Sequence, residues 1–359
     1  MNIIWLMLTG STNSILACIL HSRGTHQWQN MRHAIDQWNG RHSPVFGFYL
    51  SLISPIDASA SVDIRFCDIA QRHLVAIFLS SDSVVGVELS DFRIALSMCK
   101  RFRIPCLLDG LPSSNEKNPF LTNVGPTSQM FGQALAQLII RMSFPTCCLC
   151  SPSGVLSPAL RVSFRAIQMP SAVERYGPFL KHIRERLRHT NLLLYTDDLG
   201  IVHSLLVHAS KMNMSQTRYS YLVSNMDLHL LEDFLGPEFH CNITGFQLVR
   251  QQPQIKTDLA LAMDATALVG AAVHALRQRN LEPKPHQLLC DAGDQWTDGM
   301  LMQEQIRRVD LTDAAPPADI RRRRQFASTK PPANEWTLPF WPLRECPTAP
   351  SQISENGKK

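Results

Sequence analysis

Short apolar runs alternate with amphipathic helical patterns along most of this chain, and that alternation restricts the fold more than any other feature. Residues 15–20 and 74–79 are apolar at every position, which is typical of parallel strands that are buried on both faces of a sheet. Helical spacing follows each run, at residues 29–38 and 89–102. Strands that alternate with helices in this way predict an α/β fold with parallel sheets.

The alternation continues on both sides of a loop at residues 110–118 that is rich in proline, asparagine and serine. Further strands are predicted at 46–53, 104–108, 146–149, 161–168, 191–196 and 219–224, and an exposed or crossover strand at 243–249. Further helices are predicted at 62–73, 127–142, 178–188, 200–211, 262–277 and 299–309. At roughly 150 residues per domain, the 359 residues then form two α/β units of similar size.

The composition excludes a disordered chain and a general nucleic-acid-binding surface. Hydrophobic residues make up 45% of the sequence and charged residues 18%, which suffices for a sizeable core. The formal net charge is +5, and four of the positive charges are the consecutive arginines at 321–324. The remainder is close to neutral, unlike most nucleic-acid-binding proteins. Residues 311–359 show little periodicity, and we predict that they form a disordered or unrelated tail.

Several features bear on the compartment in which the protein works. Residues 1–14 contain a short apolar run without a preceding Lys or Arg, and they fit either a signal peptide or a first buried strand. Ten cysteines are enough for one or two disulfides in an oxidising compartment. The triplets that begin at Asn213 and Asn242 are N-glycosylation acceptors in a secreted chain. No apolar run reaches the roughly 18 residues of a membrane span.

Patterns that carry catalysis or bind a cofactor are missing. The sequence has no Gly-rich phosphate-binding loop, no Gly-x-Ser-x-Gly and no His-Glu-x-x-His motif. Neighbouring cysteines at 147–150 would point to opposite faces of a strand, so we interpret them as buried thiols rather than zinc ligands. Asp291, Asp294 and Asp298 lack the spacing of a calcium loop and are interpreted as an acidic surface loop. We therefore expect no enzyme activity, no cofactor and no bound metal.

Nine short, different motifs are distributed along the chain. They lie at residues 67–78, 97–105, 178–183, 192–197, 201–221, 225–228, 242–246, 263–276 and 290–296. In this order they resemble the amino-terminal domain of kainate-type ionotropic glutamate receptors. The segment 242–246, Asn-Ile-Thr-Gly-Phe, is similar to a sequon of that family, and 290–296 is similar to its loop with a Cys and a Trp. The resemblance covers about residues 15–310.

The resemblance implies a type I periplasmic-binding-protein-like clamshell of two Rossmann-like lobes that are joined by crossovers. Lobe 1 is then expected from residues 15–122 and 250–310, and lobe 2 from residues 123–249. The resemblance also implies a disulfide between Cys67 and Cys290, and closing so long a loop can stabilise the fold by about 5 kcal/mol at most. It supports glycosylation at Asn242, whereas Asn213 rests on its triplet alone.

The function that the resemblance implies is an extracellular, non-enzymatic one, in subunit assembly of a glutamate-gated cation channel. The expected partners are other glutamate receptor subunits, in homo- or heterodimers that form through the lobe-1 helices at 63–71 and 89–102. Phe92 and Phe102 are the candidate interface residues, and core packing is the alternative for both. The agonist-binding core and the pore have no counterpart in this sequence, so membrane attachment is expected only through a further C-terminal region.

A clamshell receptor that binds a small amino-acid-like ligand between its lobes is the alternative function. Ser80, Ser81, Ser83 and Tyr195 follow predicted strands and could donate hydrogen bonds to such a ligand. Ordinary capping of turns and strand ends is the competing interpretation of these four residues.

Overall fold

The computed structural model divides the chain into two compact units. It describes residues 14–18, 25–53, 55, 57, 60–79, 89–109, 118–126, 128–142, 148–151, 165–236, 239–248, 255–309 and 340–342. Unit 1 contains residues 1–131 and 251–333, and unit 2 contains residues 132–250 and 334–359. The first crossing lies nine residues beyond the expected boundary at 122. Gly125 packs within unit 1, since a Cβ on it would meet the carbonyl oxygen of Asp109.

Unit 1 is built on a five-stranded sheet whose described pairings are all parallel. Its elements from the first chain segment are β1 (Ser14–Cys18), α1 (His26–Phe46), β2 (Leu50–Ile53), α2 (Val62–Ala70), β3 (Ala76–Leu79), α3 (Leu89–Phe102), β4 (Cys106–Leu108) and β5 (Leu121–Asn123). The strand order is β2-β1-β3-β4-β5. β3 and β4 are buried at every position, as their continuous apolar runs predict.

Two helices from the later part of the chain complete unit 1. They are α7 (Thr257–Gln278) and α8 (Gly299–Arg308). The three helices between the two segments of unit 1 are α4 (Ser128–Arg141), α5 (Tyr176–His182) and α6 (Leu199–Lys211). Twelve residues of α7 are buried, and the helix packs against α1. Within the part of the chain that the structure describes, α7 alone has the length and hydropathy to cross a membrane, but its burial is that of a core helix.

The contact between α1 and α7 depends on a close approach at one glycine. A Cβ atom on Gly270 of α7 would overlap the indole ring of Trp38 on α1. One end of the same contact is aromatic, because Phe46 stacks on His274 with ring centroids 3.8 Å apart. The helix α1 extends to Phe46, beyond the predicted end at residue 38, and Gly47 caps it in the left-handed conformation with φ of 72°.

A disulfide joins α2 to the loop that precedes α8. Cys67 and Cys290 are bonded, with their Cα atoms 5.8 Å apart, and they are the pair that the family resemblance implies. Trp296 in the same loop is buried, and its indole N–H donates to the carbonyl of Lys284. These contacts attach the late segment of the chain to a helix that lies more than two hundred residues earlier.

Unit 2 is built on a six-stranded sheet. Its strands are β6 (Cys148–Ser151), β7 (Arg165–Gln168), β8 (Asn191–Leu194), β9 (Ser220–Val223), β10 (Asn242–Phe246) and β11 (Phe340–Pro342). The order is β11-β10-β9-β8-β6-β7, and every pairing is parallel except that of β10 with β11. Its helices are α5 (Tyr176–His182), continued by a π-helical turn over Ile183–Leu187, and α6 (Leu199–Lys211). The helix α4 (Ser128–Arg141) spans the first crossing between the units.

The sheets differ from the sequence-based expectation in three places. β10 was expected to be exposed or a crossover, and that prediction is wrong: four of its five residues are buried between β9 and β11. Phe340–Pro342 forms an antiparallel edge strand on β10, although residues 311–359 were predicted as a disordered or unrelated tail. β5 was not predicted, because its three residues are only partly buried and lack a strand-like pattern. Residues 1–13 lie outside the described residues.

The close approach at Gly270 predicts opposite effects for two identical substitutions. Gly270→Ala should lower the free energy of unfolding by about 1–3 kcal/mol, because the new methyl group overlaps Trp38. Gly40→Ala on α1 should raise it by about 0.5–1 kcal/mol, because nothing lies within 4 Å and alanine favours the helix. Urea unfolding of both variants measures the difference. A gain in stability for Gly270→Ala would contradict the α1–α7 packing.

The pKa of His274 predicts a pH dependence of stability. Burial, and secondly the charge of Arg277, lower this pKa below its ordinary value of 6.5. At this site the unfolded chain therefore binds more protons than the folded chain. The contribution of neutral His274 to the free energy of unfolding is lost as the pH falls through the lowered pKa. His274→Phe keeps an aromatic ring against Phe46 but cannot titrate.

We therefore expect the melting temperature of His274→Phe to fall less than that of the parent between about pH 7.5 and about pH 5.5. His33→Phe, at an exposed position of α1, controls for the loss of one histidine. Parallel curves for the parent and His274→Phe would refute the assignment.

Candidate functional site

Polar side chains gather at the carboxyl ends of the parallel strands β8 and β9 in unit 2. The amide of Thr196, after β8, donates to Ser224 Oγ, after β9, over 3.0 Å. Asn225 Nδ2 donates to the carbonyl oxygen of Asp197 over 2.7 Å, and its Oδ1 accepts from the amide of Asp227 over 2.8 Å. Carboxyl ends of parallel strands meet at one edge of a sheet, where α/β proteins commonly bind ligands.

Tyr195 lies at this carboxyl edge, directly after β8, and is partly buried. Desolvation, and secondly the negative charge of Asp197, raise the pKa of Tyr195 above its ordinary value of 10.0. The phenol therefore stays protonated at neutral pH and retains its donor hydrogen. It suits the donation of a hydrogen bond and not proton abstraction.

Two buried polar side chains near this edge were not singled out from the sequence. Gln247, directly after β10, is 7% exposed, and no described group bonds to its Oε1. His229 is 3% exposed, and neither ring nitrogen has a hydrogen-bond partner in the described structure. Gln247 pairs with Asp227 through an isolated antiparallel bridge. A buried acceptor without a donor costs about 1–3 kcal/mol, so a donor from a ligand would be favourable here.

Signals for both residues are present in the sequence. Gln247 follows the apolar residues of β10, and His229 stands among leucines in the 3-10 helix Leu228–Phe234. A polar residue inside an apolar stretch is informative because buried polar groups are uncommon. Pattern alone does not tell whether such a side chain finds a partner.

The carboxyl edge of the unit 1 sheet is only partly described. Ser80, Ser81 and Ser83, the predicted ligand-binding serines, lie outside the described residues. Asp109 directly follows β4 and is 6% exposed. Asn123 Nδ2 donates to the carbonyl of Gly125 over 2.8 Å. Of the four residues that were predicted to contact a ligand, the structure therefore describes only Tyr195.

Phe92 and Phe102 do not form an exposed surface, and their assignment to a dimer interface is wrong. Both are at most 1% exposed in the core of unit 1, and Phe102 stacks on Phe66 of α2 with ring centroids 5.7 Å apart. Core packing, the alternative given for both residues, is confirmed. Among the described side chains of the two helices, the exposed large apolar residues are Ile64 on α2 and Ile94 on α3, which are 59% and 40% exposed.

The two N-glycosylation triplets lie in different surroundings. Asn213 is exposed just after α6, in the left-handed conformation with φ of 55°. Asn242 is partly buried as the first residue of β10. The third residue of each triplet, Ser215 and Thr244, is buried. Attachment of a glycan at either asparagine stays a prediction.

The candidate metal ligands have other roles or lie outside the description. In the described segments, no three His, Cys, Asp or Glu side chains cluster closely enough to hold a metal ion. Asp294 Oδ2 accepts from the amide of Leu289, and Asp298 Oδ2 accepts from the amide of Lys284. These acids therefore stabilise the loop backbone. The side chains at 147–150 lie outside the described residues.

One comparison with known proteins bears on the class of this chain. Residues 160–328 match the model of the receptor family ligand binding region. That range contains the carboxyl edge of unit 2, the helices α7 and α8, and Cys290. No curated protein matches the sequence. The match supports a receptor-type ligand-binding region, and two mainly parallel α/β sheets are consistent with it.

Proposed function

We propose that this chain is an extracellular domain of an ionotropic glutamate receptor subunit and that it acts in subunit assembly. The match of residues 160–328 to the receptor family ligand binding region carries the receptor part of this proposal. The kainate-type motifs, in the order 67–78 to 290–296, support the narrower assignment. A disulfide between Cys67 and Cys290 fits an oxidising compartment outside the cell.

The assembly surface that we propose is the outer face of α2 and α3 in unit 1. These helices pack against each other, and each exposes one isoleucine, Ile64 or Ile94. Leu289 is also exposed, directly before the cysteine that is bonded to α2. Apolar side chains that are exposed singly need no explanation, but apolar residues on packed elements can form the centre of a dimer contact.

Substitution of both isoleucines tests the assembly surface. Ile64→Asp with Ile94→Asp should weaken self-association at least about tenfold, since each places a charge at the desolvated centre of the contact. Sedimentation velocity over a range of concentrations measures the dimer constant.

Val45→Asp with Ile140→Asp is the matched control, because both residues are more than 60% exposed and lie on other helices. Equal weakening by the two double variants, or a parent chain that stays monomeric, would overturn the proposal.

A second candidate function is the binding of a small amino-acid-like ligand at the carboxyl edge of unit 2. The observation that favours it is the buried Oε1 of Gln247, which has no donor among the described residues. The ammonium group of an amino acid would supply a donor there, and Tyr195 could donate to its carboxylate.

A thermal-shift series with amino acids tests this second function. A ligand at a hundred times its Kd should stabilise the fold by about 2.7 kcal/mol and raise the melting temperature. Gln247→Leu should abolish the shift, and Gln216→Leu, at an exposed position, should leave it unchanged. A shift of the same size in both variants would exclude Gln247 from the site.

A further inference from the structure

We infer that the amino-terminal edge of the unit 2 sheet is a binding surface for a sulfated polysaccharide. This surface, here the basic edge, consists of six basic side chains: Lys181, Arg184, Arg186, Arg188, Lys211 and Arg218. The inference rests on the extracellular placement proposed above, because such polymers belong to the cell surface and matrix.

Backbone and side-chain contacts bring the three segments of the basic edge together. Arg184 Nη1 donates to the carbonyl of Met212 over 2.6 Å, which puts the turn after α5 beside the C-terminus of α6. The amide of Ser220 donates to the carbonyl of Thr190 over 3.0 Å, which puts the start of β8 beside the start of β9. Arg188 lies two residues before Thr190, and Arg218 lies two residues before Ser220. Chain topology therefore gathers cations that are 37 residues apart in sequence.

The basic edge carries little compensating negative charge. Glu185 is the single carboxylate in the described segments 181–191, 211–220 and 239–242. Its own partner is Arg184, at 2.8 Å, and hydrogen bonding by Arg184 followed by nearby positive charges lowers the pKa of Glu185. The same segments also contain His189 and His240, neither of which carries a negative charge.

Favourable interactions with helix dipoles account for only part of this charge. Arg184 bonds a carbonyl at the end of α6, as basic residues near helix C-termini commonly do. Arg186, Arg188 and Arg218 are exposed. Arg188 ends its helix in the left-handed conformation, with φ of 55°, and Arg218 lies over the ring of Tyr219 at 5.0 Å. These three guanidinium groups remain accessible to an external anion.

The arrangement fits a linear polyanion better than a small anion. The cations come from three separate segments on an exposed edge, so that one sulfate could not contact all of them. A polysaccharide with regularly spaced sulfates can contact them together, and it gains affinity from the counterions that are released. Guanidinium groups bind such oxyanions with paired hydrogen bonds. Asn213, a predicted glycan acceptor, lies on the same edge beside Met212.

Binding to immobilised heparin, after enzymatic removal of N-glycans, tests the surface. The triple variant Arg186→Gln, Arg188→Asn and Arg218→Gln should lose at least about tenfold in affinity, and its salt dependence should become shallower by about two in log–log slope. Asn is used at 188 because it tolerates the left-handed backbone. The control triple, Arg41→Gln, Lys284→Gln and Arg308→Gln, removes the same charge from exposed positions of unit 1. Thermal melts verify that both triples fold.

The outcomes separate the surface from general charge and from the proposed function. Weak binding by the edge triple alone supports the inference. Equal losses in the two triples, or tighter binding to duplex DNA than to heparin at the same salt concentration, overturn it. Sedimentation of the parent reports on assembly independently. If the parent is a monomer and the edge triple still binds heparin more weakly than the control triple, the assembly role is contradicted and the basic edge is not.

Discussion

A parallel sheet must be covered on both faces, and in unit 1 the returning chain shares that role: α7 and α8 belong to the same buried core as β3 and β4. The first segment, to residue 131, supplies all five strands together with α1, α2 and α3. The long apolar helix α7 comes from the second segment and packs on α1, with Gly270 against the indole of Trp38. The Cys67–Cys290 disulfide then fastens the returning segment to α2. Loss of this return would leave a large part of the unit 1 core exposed to water.

The strands were predictable where burial on both faces leaves a continuous apolar run. β3 and β8 lie inside the predicted runs 74–79 and 191–196. The pattern fails for short edge strands: β5 is only partly buried, and β11 joins the sheet through three residues that are remote in sequence from β10. Phe92 and Ile94 show a second limit. Helical spacing defines the two faces of α3, but packing against α2 and the sheet decides which face is buried. Phe92 is on the buried face, and Ile94 is exposed.

The candidate sites were predictable to different degrees. The Cys67–Cys290 pairing came from family resemblance, since spacing alone gives many pairings among ten cysteines. Tyr195 was predictable because it follows a strong strand, whereas the buried Oε1 of Gln247 depends on which donors the tertiary structure leaves nearby. The turn after α5 lies in the predicted helix 178–188, and its basic residues can be read from the sequence. Lys211 and Arg218 join it only through strand order. Topology, and not local pattern, creates the basic edge.

An extracellular receptor domain acquires its disulfides in an oxidising compartment, so the redox state of Cys67 and Cys290 tests the proposed placement. The chain is expressed in animal cells, recovered without reductant, alkylated and digested, and its peptides are identified by mass spectrometry. We expect a linked peptide pair that contains Cys67 and Cys290. We also expect Cys99, which is buried in the unit 1 core, to be alkylated only after unfolding. Recovery of Cys67 and Cys290 from folded protein as separately alkylated thiols would indicate folding in a reducing compartment, and it would rule out an extracellular domain.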